Sequence, residues 1–268
     1  MEAVTLGPEG TYSHRAARAV AEEIDFRQSV TAIVDAVASG EYDRGVIPVE
    51  NSIEGSVTES LDAVADHAVA VVREVVTPIR HALLAQGEEF ETIASHSQAL
   101  AQCRSYLESE YPEATLEAVA STARGVERAR EDRSVAGIGH PDNAEGVLQV
   151  LAEDIQDQSS NSTRFFVLAP EDERSAGGGK TSLVVYPNVN YPGLLLELLV
   201  PFADRDINLT RVESRPSGTR LGDYVFHLDI EAGLYESRTT EAVAELEALA
   251  EDGWVCRLGS YDTEHVVE

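Results

Sequence analysis

Short apolar runs and amphipathic segments alternate along the first 170 residues of the chain. Residues 3–6, 44–49 and 68–76 are apolar and rich in β-branched side chains, which is typical of buried strands. The same pattern predicts further strands at 78–85, 92–94, 116–120, 135–139 and 165–168, and helices at 16–23, 33–39, 56–65, 95–111, from 121 onward and at 143–152. Strands that alternate with helices predict an α/β fold with largely parallel sheets.

After residue 180 the predicted order becomes strand, helix, strand, strand, helix, strand. The strands are expected at 181–186, 207–213, 224–231 and 254–261, and the helices at 193–205 and 239–252. This βαββαβ order is that of the ferredoxin-like fold. Residues 171–180 combine charged residues with three consecutive glycines, which indicates a linker between the two parts.

The charge balance narrows the class of protein. There are 48 acidic and 20 basic residues, the formal net charge is −28, and Lys180 is the one lysine. Such a surface repels nucleic acid and anionic membranes and needs salt to screen its own repulsion. Without a signal peptide or a membrane-length apolar run, we expect a cytoplasmic protein of a salt-accumulating halophile. Cys103 and Cys256 have no neighbours at metal-ligand spacing, so no disulfide framework and no metal site are expected.

Polar residues follow several of the predicted strands. Thr11 comes after the first strand and a glycine-rich turn, the pair Asn51 and Ser52 follows the second strand, and Ser95 follows a later one. Ligands of parallel sheets bind at the carboxyl ends of strands, and helix N-termini bind anions. Each residue alone could simply be a helix cap, but together they favour an anion pocket.

The stretch from Asn161 to Phe166 places a hydroxyl and a guanidinium at the mouth of an apolar strand. Thr163 and Arg164 could hold a carboxylate and protonate a leaving group there. The alternative is a polar turn that enters a strand, with Arg164 on the surface.

A second candidate site lies in the C-terminal part. Asn190 precedes Pro192 and Gly193, which open a predicted helix, and 213–216 (Glu-Ser-Arg-Pro) closes a predicted strand. Open amides near a Glu and an Arg could hold both ends of a free amino acid. A pair of loops with a surface ion pair is the alternative.

These residues fall within six segments that together resemble the prephenate dehydratase family across essentially the whole chain. The segments are GPEGTYS (7–13), IPVENSIEGSV (47–57), SHSQALAQC (95–103), NSTRFFVL (161–168), NYPGLLLELL (190–199) and INLTRVESRP (207–216). The resemblance is to the monofunctional form. One departure is 137–142 (Gly-Ile-Gly-His-Pro-Asp), where the family usually has a plainer strand and small residues, so the pocket wall there is expected to differ.

The resemblance implies a two-lobed catalytic domain like type II periplasmic binding proteins, followed by an ACT regulatory domain. The catalytic domain would span 1–170, with lobes of about 1–78 plus 158–170 and 79–157, and the ACT domain 181–268. The implied reaction converts prephenate to phenylpyruvate, water and carbon dioxide without a cofactor.

By the same resemblance, Thr163 would hydrogen-bond the leaving hydroxyl. The other implied catalytic residues, which would orient or relay, are Glu50, Asn51 and Gln102. The implied substrate-binding residues are Thr11, Ser52, Ser95, Gln98, Asn161, Arg164 and Phe165, of which Phe165 would wall the pocket.

The resemblance also implies feedback inhibition by L-phenylalanine bound between two ACT domains of a homodimer or homotetramer. The residues implied for that site are Asn190, Pro192, Gly193, Leu194, Leu195, Glu213, Ser214, Arg215 and Pro216. Two other functions fit the sequence: arogenate dehydratase, which differs in an amino group on the substrate, and a non-catalytic protein that senses amino acids.

Overall fold

Two β-sheets organise the chain. The computed structural model describes residues 1–175, 177–250 and 252–266, and the structural statements below concern these residues. The larger sheet has 11 strands and the smaller has five. Among the described residues, no helix combines the length and the apolar character needed to cross a membrane.

The first lobe is built on one half of the larger sheet, with the strand order β5-β11-β3-β1-β2. Its strands are β1 (Glu2–Leu6), β2 (Glu23–Arg27), β3 (Arg44–Asn51), β4 (Gly55–Ser56), β5 (Val69–Pro78) and β11 (Ser162–Pro170). Its helices are α1 (Tyr12–Arg18), α2 (Val30–Ala38) and α3 (Thr58–Ala65). Strands β1, β2 and β3 are parallel, whereas β11 runs antiparallel to β3 and β5 on either side of it.

The second lobe is the smaller sheet, with the order β10-β6-β9-β7-β8. Its strands are β6 (Ala82–Ala85), β7 (Thr92–His96), β8 (Thr115–Val119), β9 (Val135–Gly139) and β10 (Gln149–Ala152). Its helices are α4 (Ser97–Gln102), α5 (Arg104–Glu110) and α6 (Thr122–Glu131). The chain enters this lobe after β5 and returns through β11, which confirms the expected two-lobed α/β fold.

The C-terminal unit has the expected βαββαβ order. It consists of β12 (Lys180–Tyr186), α7 (Leu194–Ala203), β13 (Leu209–Pro216), β14 (Tyr224–Ile230), α8 (Ser237–Leu249) and β15 (Trp254–Tyr261). Helices α7 and α8 pack on one face of its sheet, around Phe226, Leu228 and Phe202. The opposite face, with Val184 and Leu258, joins the core of the first lobe.

The C-terminal unit also extends the sheet of the first lobe, which the sequence did not predict. Gly259 of β15 pairs with Val71 of β5, and β16 (Thr263–His265) pairs with β5 in parallel. A Cβ atom on Gly259 would lie 2.0 Å from the carbonyl oxygen of Val71, so the close approach of these strands requires glycine. In the predicted linker, Glu171–Glu173 form a short 3₁₀ helix, and Ala176 lies outside the described residues.

One predicted helix was wrong, and a second lies several residues earlier than predicted. Residues 143–152 form a turn and then β10, because Gly146 adopts a positive φ of 69° and the following residues pair with β6. The predicted helix at 16–23 runs from Tyr12 to Arg18 instead, and β2 begins at Glu23.

Candidate active site

A cleft of about 300 Å³ lies between the two lobes. Predicted site residues that line it are Thr11, Asn51, Gln98, Gln102, Asn161, Thr163 and Phe165. Residues that the sequence reasoning missed, including Tyr12, His81, His96, Ser121 and Thr122, line it as well. The start of β11, the N-terminal cap of α1 and the segment between β5 and β6 thus meet at the cleft, although they are far apart in sequence.

Asn51 holds the hydroxyl of Thr163. Its Oδ1 accepts hydrogen bonds from the backbone amides of Ile53 and Glu54, at 3.0 and 3.2 Å, which fixes the orientation of the side-chain amide. Its Nδ2 then donates to Thr163 Oγ1 and to Asn161 Oδ1, both at 3.0 Å. Because Thr163 accepts from Asn51, its own proton is available to a molecule in the cleft.

The same hydrogen-bond chain continues to a buried histidine. Asn161 Nδ2 donates to Gln102 Oε1 at 3.0 Å, and His81 Nε2 lies 3.0 Å from the same oxygen. His81 is 2% exposed, and burial lowers its pKa, so the ring is neutral near pH 7. Since Gln102 Oε1 can only accept, the His81 proton resides on Nε2. Gln102 Oε1 thus accepts from both Asn161 and His81, and these two donors hold the Gln102 side-chain amide in one orientation.

Tyr12 forms part of the cleft wall between two histidines. Its ring meets those of His81 and His140 edge-on, with centroids 6.0 and 6.1 Å apart, and its hydroxyl donates to the carbonyl of Arg80. His140 belongs to the segment that departs from the family pattern. Its Nδ1 lies 3.0 Å from Arg15 of the first lobe, and burial together with Arg15 lowers its pKa to about 4. Arg15 thus joins the two lobes beside the cleft.

Two helices begin at the cleft, and a hydroxyl that lines the cleft caps each of them. Thr11 caps α1 as expected, since its hydroxyl accepts from the amide of His14 at 3.3 Å. Ser121 caps α6 in the same way through the amide of Arg124, at 3.0 Å. None of the described residues lining the cleft is a lysine or arginine. A carboxylate there would be held by backbone N–H groups and neutral side chains.

The structure does not bring Arg164 to the cleft, where it was expected to hold a substrate carboxylate. Successive residues of a strand face opposite sides of the sheet, so Thr163 and Arg164 point in opposite directions. Arg164 forms ion pairs with Glu50, Glu74 and Asp229 on the side away from the cleft. Glu50 lies on that side for the same reason, and it neither lines the cleft nor contacts the hydrogen-bond chain.

Ser52 and Ser95 do not line the cleft either. Ser52 lies in the turn after β3, where its hydroxyl accepts from the amide of Ser162 at 3.0 Å and so braces the start of β11. Ser95 is fully buried at the end of β7 and donates to the carbonyl of Ile138 at 2.7 Å. His96, not Ser95, provides the side-chain cap of α4.

The predicted regulatory residues separate onto two faces of the C-terminal sheet. The side chains of Glu213 and Arg215 face the first lobe, where they contact Ser56 and Asp62. The structure therefore does not bring these two side chains next to the start of α7 in the same chain, where they were expected to hold an amino acid. Ser214 and Pro216 alternate with them on the exposed side.

The start of α7 keeps the geometry expected of a binding loop. Gly193 precedes the helix with φ of 100°, Leu194 and Leu195 form its first turn, and Asn190 donates to the carbonyl of Gly222 at 2.7 Å. Among the described residues, no cluster of three His, Cys, Asp or Glu side chains is arranged to hold a metal ion.

Comparison with known proteins places this site in a family. The chain matches the prephenate dehydratase family over residues 3–173. The prephenate dehydratase of Lactococcus lactis subsp. cremoris is 37% identical over 273 residues, covering 97% of each chain. The bifunctional chorismate mutase/prephenate dehydratase of Aquifex aeolicus is 37% identical over 96% of this chain and 72% of its own length. The structure of the Arthrobacter aurescens prephenate dehydratase in complex with L-Phe is 35% identical, with a TM-score of 0.89 over 98% of this chain and 90% of that one. The chain therefore belongs to the prephenate dehydratase family.

Proposed function

We propose that this protein converts prephenate to phenylpyruvate, water and carbon dioxide, as a step of L-phenylalanine biosynthesis. The observation that carries the proposal is the Thr163 hydroxyl, which accepts from Asn51 at 3.0 Å and lines the cleft. A hydroxyl fixed in this way can donate to a leaving group without first reorganising.

The reaction requires little acid strength from the protein. Prephenate loses its ring carboxylate as carbon dioxide, and the electron pair of the breaking bond enters the ring as the hydroxyl departs. One proton is taken up, and the hydroxyl leaves as water. Because aromatisation drives the step, Thr163 acts by hydrogen bonding to the departing oxygen within the chain of Asn51, Asn161, Gln102 and His81.

The absence of cationic side chains from the described lining of the cleft fits this reaction. The carboxylate that departs loses its charge in the transition state, so a guanidinium paired with it would stabilise the substrate more than the transition state. Backbone N–H groups at the starts of α1 and α6 can orient the dianion while stabilising the substrate less strongly than a guanidinium would. Phe165 and Tyr12 provide faces against which the ring can pack.

The C-terminal unit is proposed to be an ACT domain that binds L-phenylalanine as a feedback inhibitor. The Arthrobacter aurescens relative was solved in complex with L-Phe. The candidate residues here are Asn190, Pro192, Gly193, Leu194, Leu195, Ser214 and Pro216, which flank the start of α7 and the exposed side of β13. Among the described residues, exposed apolar side chains on α7 and β13, including Leu196 at 69% and Val212 at 44%, favour burial against a second copy. We therefore propose a homodimer or homotetramer.

Residues 1–170 would form the catalytic domain, 171–180 the linker and 181–268 the ACT domain. The acidic surface supports assignment to the cytoplasm of a salt-accumulating cell.

The experiment that tests the function is an assay of phenylpyruvate formation from prephenate in concentrated potassium chloride, with and without L-phenylalanine. A parallel assay with arogenate, which would yield phenylalanine, decides between the two dehydratase activities. Turnover of neither substrate, with L-phenylalanine still bound, would leave an amino-acid-sensing protein and overturn the proposal.

A further inference from the structure

Arg164 joins the strand that carries Thr163 to the C-terminal unit. Its Nη1 lies 2.5 Å from Asp229 of β14, and its Nη2 lies 3.0 Å from the hydroxyl of Tyr261 of β15. Within the first lobe its Nε pairs with Glu74 of β5, and Nη1 lies 3.2 Å from Glu50 of β3. The Arg164 side chain is 12% exposed, and those of Glu74 and Asp229 are 1% and 3% exposed. One guanidinium thus contacts both neighbours of β11 and two strands of the C-terminal unit.

The partners of Arg164 are themselves held by the C-terminal unit. The hydroxyl of Ser182 on β12 hydrogen-bonds both Asp229 and the Tyr261 hydroxyl. Lys180 Nζ lies 2.8 Å from Glu74 Oε1. A displacement of the C-terminal unit against the first lobe therefore moves the groups that fix the guanidinium. A cavity of about 390 Å³ beside Arg164, Lys180 and Glu74 leaves room for such a displacement.

Arg164 directly follows Thr163, so a shift of the guanidinium rotates the strand that aims the Thr163 hydroxyl. The candidate effector site lies on the same C-terminal sheet, because Ser214 of β13 is the register partner of Phe226, three residues before Asp229 in β14. We propose that Arg164 is a positioning residue for Thr163, and that L-phenylalanine inhibits by moving Asp229 relative to Arg164. The proposal rests on the proposed function and specifies how regulation reaches the active site.

The variant Asp229→Asn tests the coupling with little change of shape. The cluster holds two cations, Arg164 and Lys180, and three carboxylates, Glu50, Glu74 and Asp229. Removing one carboxylate still leaves each cation a partner, so the fold is expected to persist. The matched control is Glu245→Gln, which removes a carboxylate of α8 that pairs with Arg205 inside the C-terminal unit.

Three quantities are measured for the full chain: the Kd of L-phenylalanine by calorimetry, the residual activity at saturating L-phenylalanine, and hydrogen exchange across 162–168. The Kd in Asp229→Asn is expected to stay within about threefold of the wild type, whereas most of the activity persists when the effector is bound. L-Phenylalanine should change exchange across 162–168 in the wild type and in Glu245→Gln, but not in Asp229→Asn. Tyr261→Phe, which removes a single hydroxyl from the cluster, should show a smaller effect of the same sign.

Full inhibition of Asp229→Asn at the wild-type effector concentration would overturn the proposal, as would a wild-type enzyme that does not bind L-phenylalanine. A wild type that binds L-phenylalanine but forms no phenylpyruvate would contradict the proposed function separately. In that case the exchange measurement alone decides whether the coupling exists.

Discussion

The side-chain amide of Asn51 donates to the hydroxyl of Thr163 across two paired strands, with 3.0 Å between Nδ2 and Oγ1. The two residues are register partners in β3 and β11, so both face the cleft. Asn51 cannot reverse its amide without losing the bonds from the amides of Ile53 and Glu54. Thr163 is therefore kept as an acceptor toward Asn51 and as a donor toward the cleft.

Replacing the Thr163 hydroxyl is expected to affect turnover far more than binding. In Thr163→Ala, kcat should fall by roughly a thousandfold while KM stays within about tenfold, because the hydrogen bond strengthens as the oxygen departs. Thr163→Ser, which keeps the hydroxyl, is the control and should retain much of the activity. Steady-state kinetics with prephenate measures both constants. Near-normal turnover in Thr163→Ala would contradict the assigned role.

His81 is expected to act on turnover through Gln102. Removing its Nε2 proton donor in His81→Leu frees Gln102 to reverse its amide, and kcat should fall about tenfold. Gln102→Leu should have a similar effect, and the double variant should be little worse than either single one. A double-mutant cycle on kcat measures this coupling, and strictly additive losses would show that the two residues do not act as one unit.

The sequence predicted the cleft better than it predicted which residues face the cleft. Strand and helix periods placed Thr11, Asn51 and Thr163 at adjoining element ends, and these residues do meet. The alternation of side chains along β3 and β11 could have excluded Glu50 and Arg164, since each directly neighbours a residue that faces the cleft. That argument requires knowing which face is buried against another domain. The pairing of β5 with β15 joins residues that are distant in sequence, so no local sequence pattern predicts it.

The missed helix-to-strand change at β10 has a similar origin. The apolar positions of residues 143–152 fit both the period of a helix and that of a strand. The pairing with β6 decides in favour of the strand. His81 carried no signal of its own, because a histidine in an apolar run is usually a satisfied core residue. Its role follows from the position of Gln102, which is distant in sequence.

Arg15 is expected to hold the two lobes together beside the cleft. It contacts His140 and Asp142 of the second lobe, and its side chain is 18% exposed. In Arg15→Ala, KM for prephenate should rise about fivefold with little change in kcat, because closing the cleft then draws on binding energy. Arg18→Ala, on the same helix, is the control. Small-angle scattering should show a larger radius of gyration for Arg15→Ala. Unchanged values of both KM and the radius of gyration would contradict this role of Arg15.

Salt is expected to raise activity, because the chain and its substrate are both negative. With a net charge of −28, association with a dianion is opposed at low ionic strength. Raising potassium chloride from 0.1 to 1 M shortens the screening length from about 10 to about 3 Å, so kcat/KM and the melting temperature should both increase. Sucrose at 1 M serves as the control, since it favours compact states without screening charge. Equal activity and stability in dilute buffer would contradict the halophilic assignment.

His227 is expected to make the fold sensitive to acid. The ring is 2% exposed, neither nitrogen has a hydrogen-bond partner among the described residues, and burial together with Arg211 and Arg215 lowers its pKa to about 4. The unfolded chain titrates near pH 6.5, so between pH 6.5 and 4 it binds a proton that the folded chain does not.

The free energy of unfolding should therefore fall as pH decreases through that window, by about 1.4 kcal/mol from this residue between pH 7.5 and 5.5. His227→Leu removes the titrating group at similar volume. Melting curves in 1 M potassium chloride should show that the drop in melting temperature from pH 7.5 to 5.5 is about 3 °C smaller in the variant than in the wild type. An equal drop in both proteins would show that His227 is protonated equally in the folded and unfolded states.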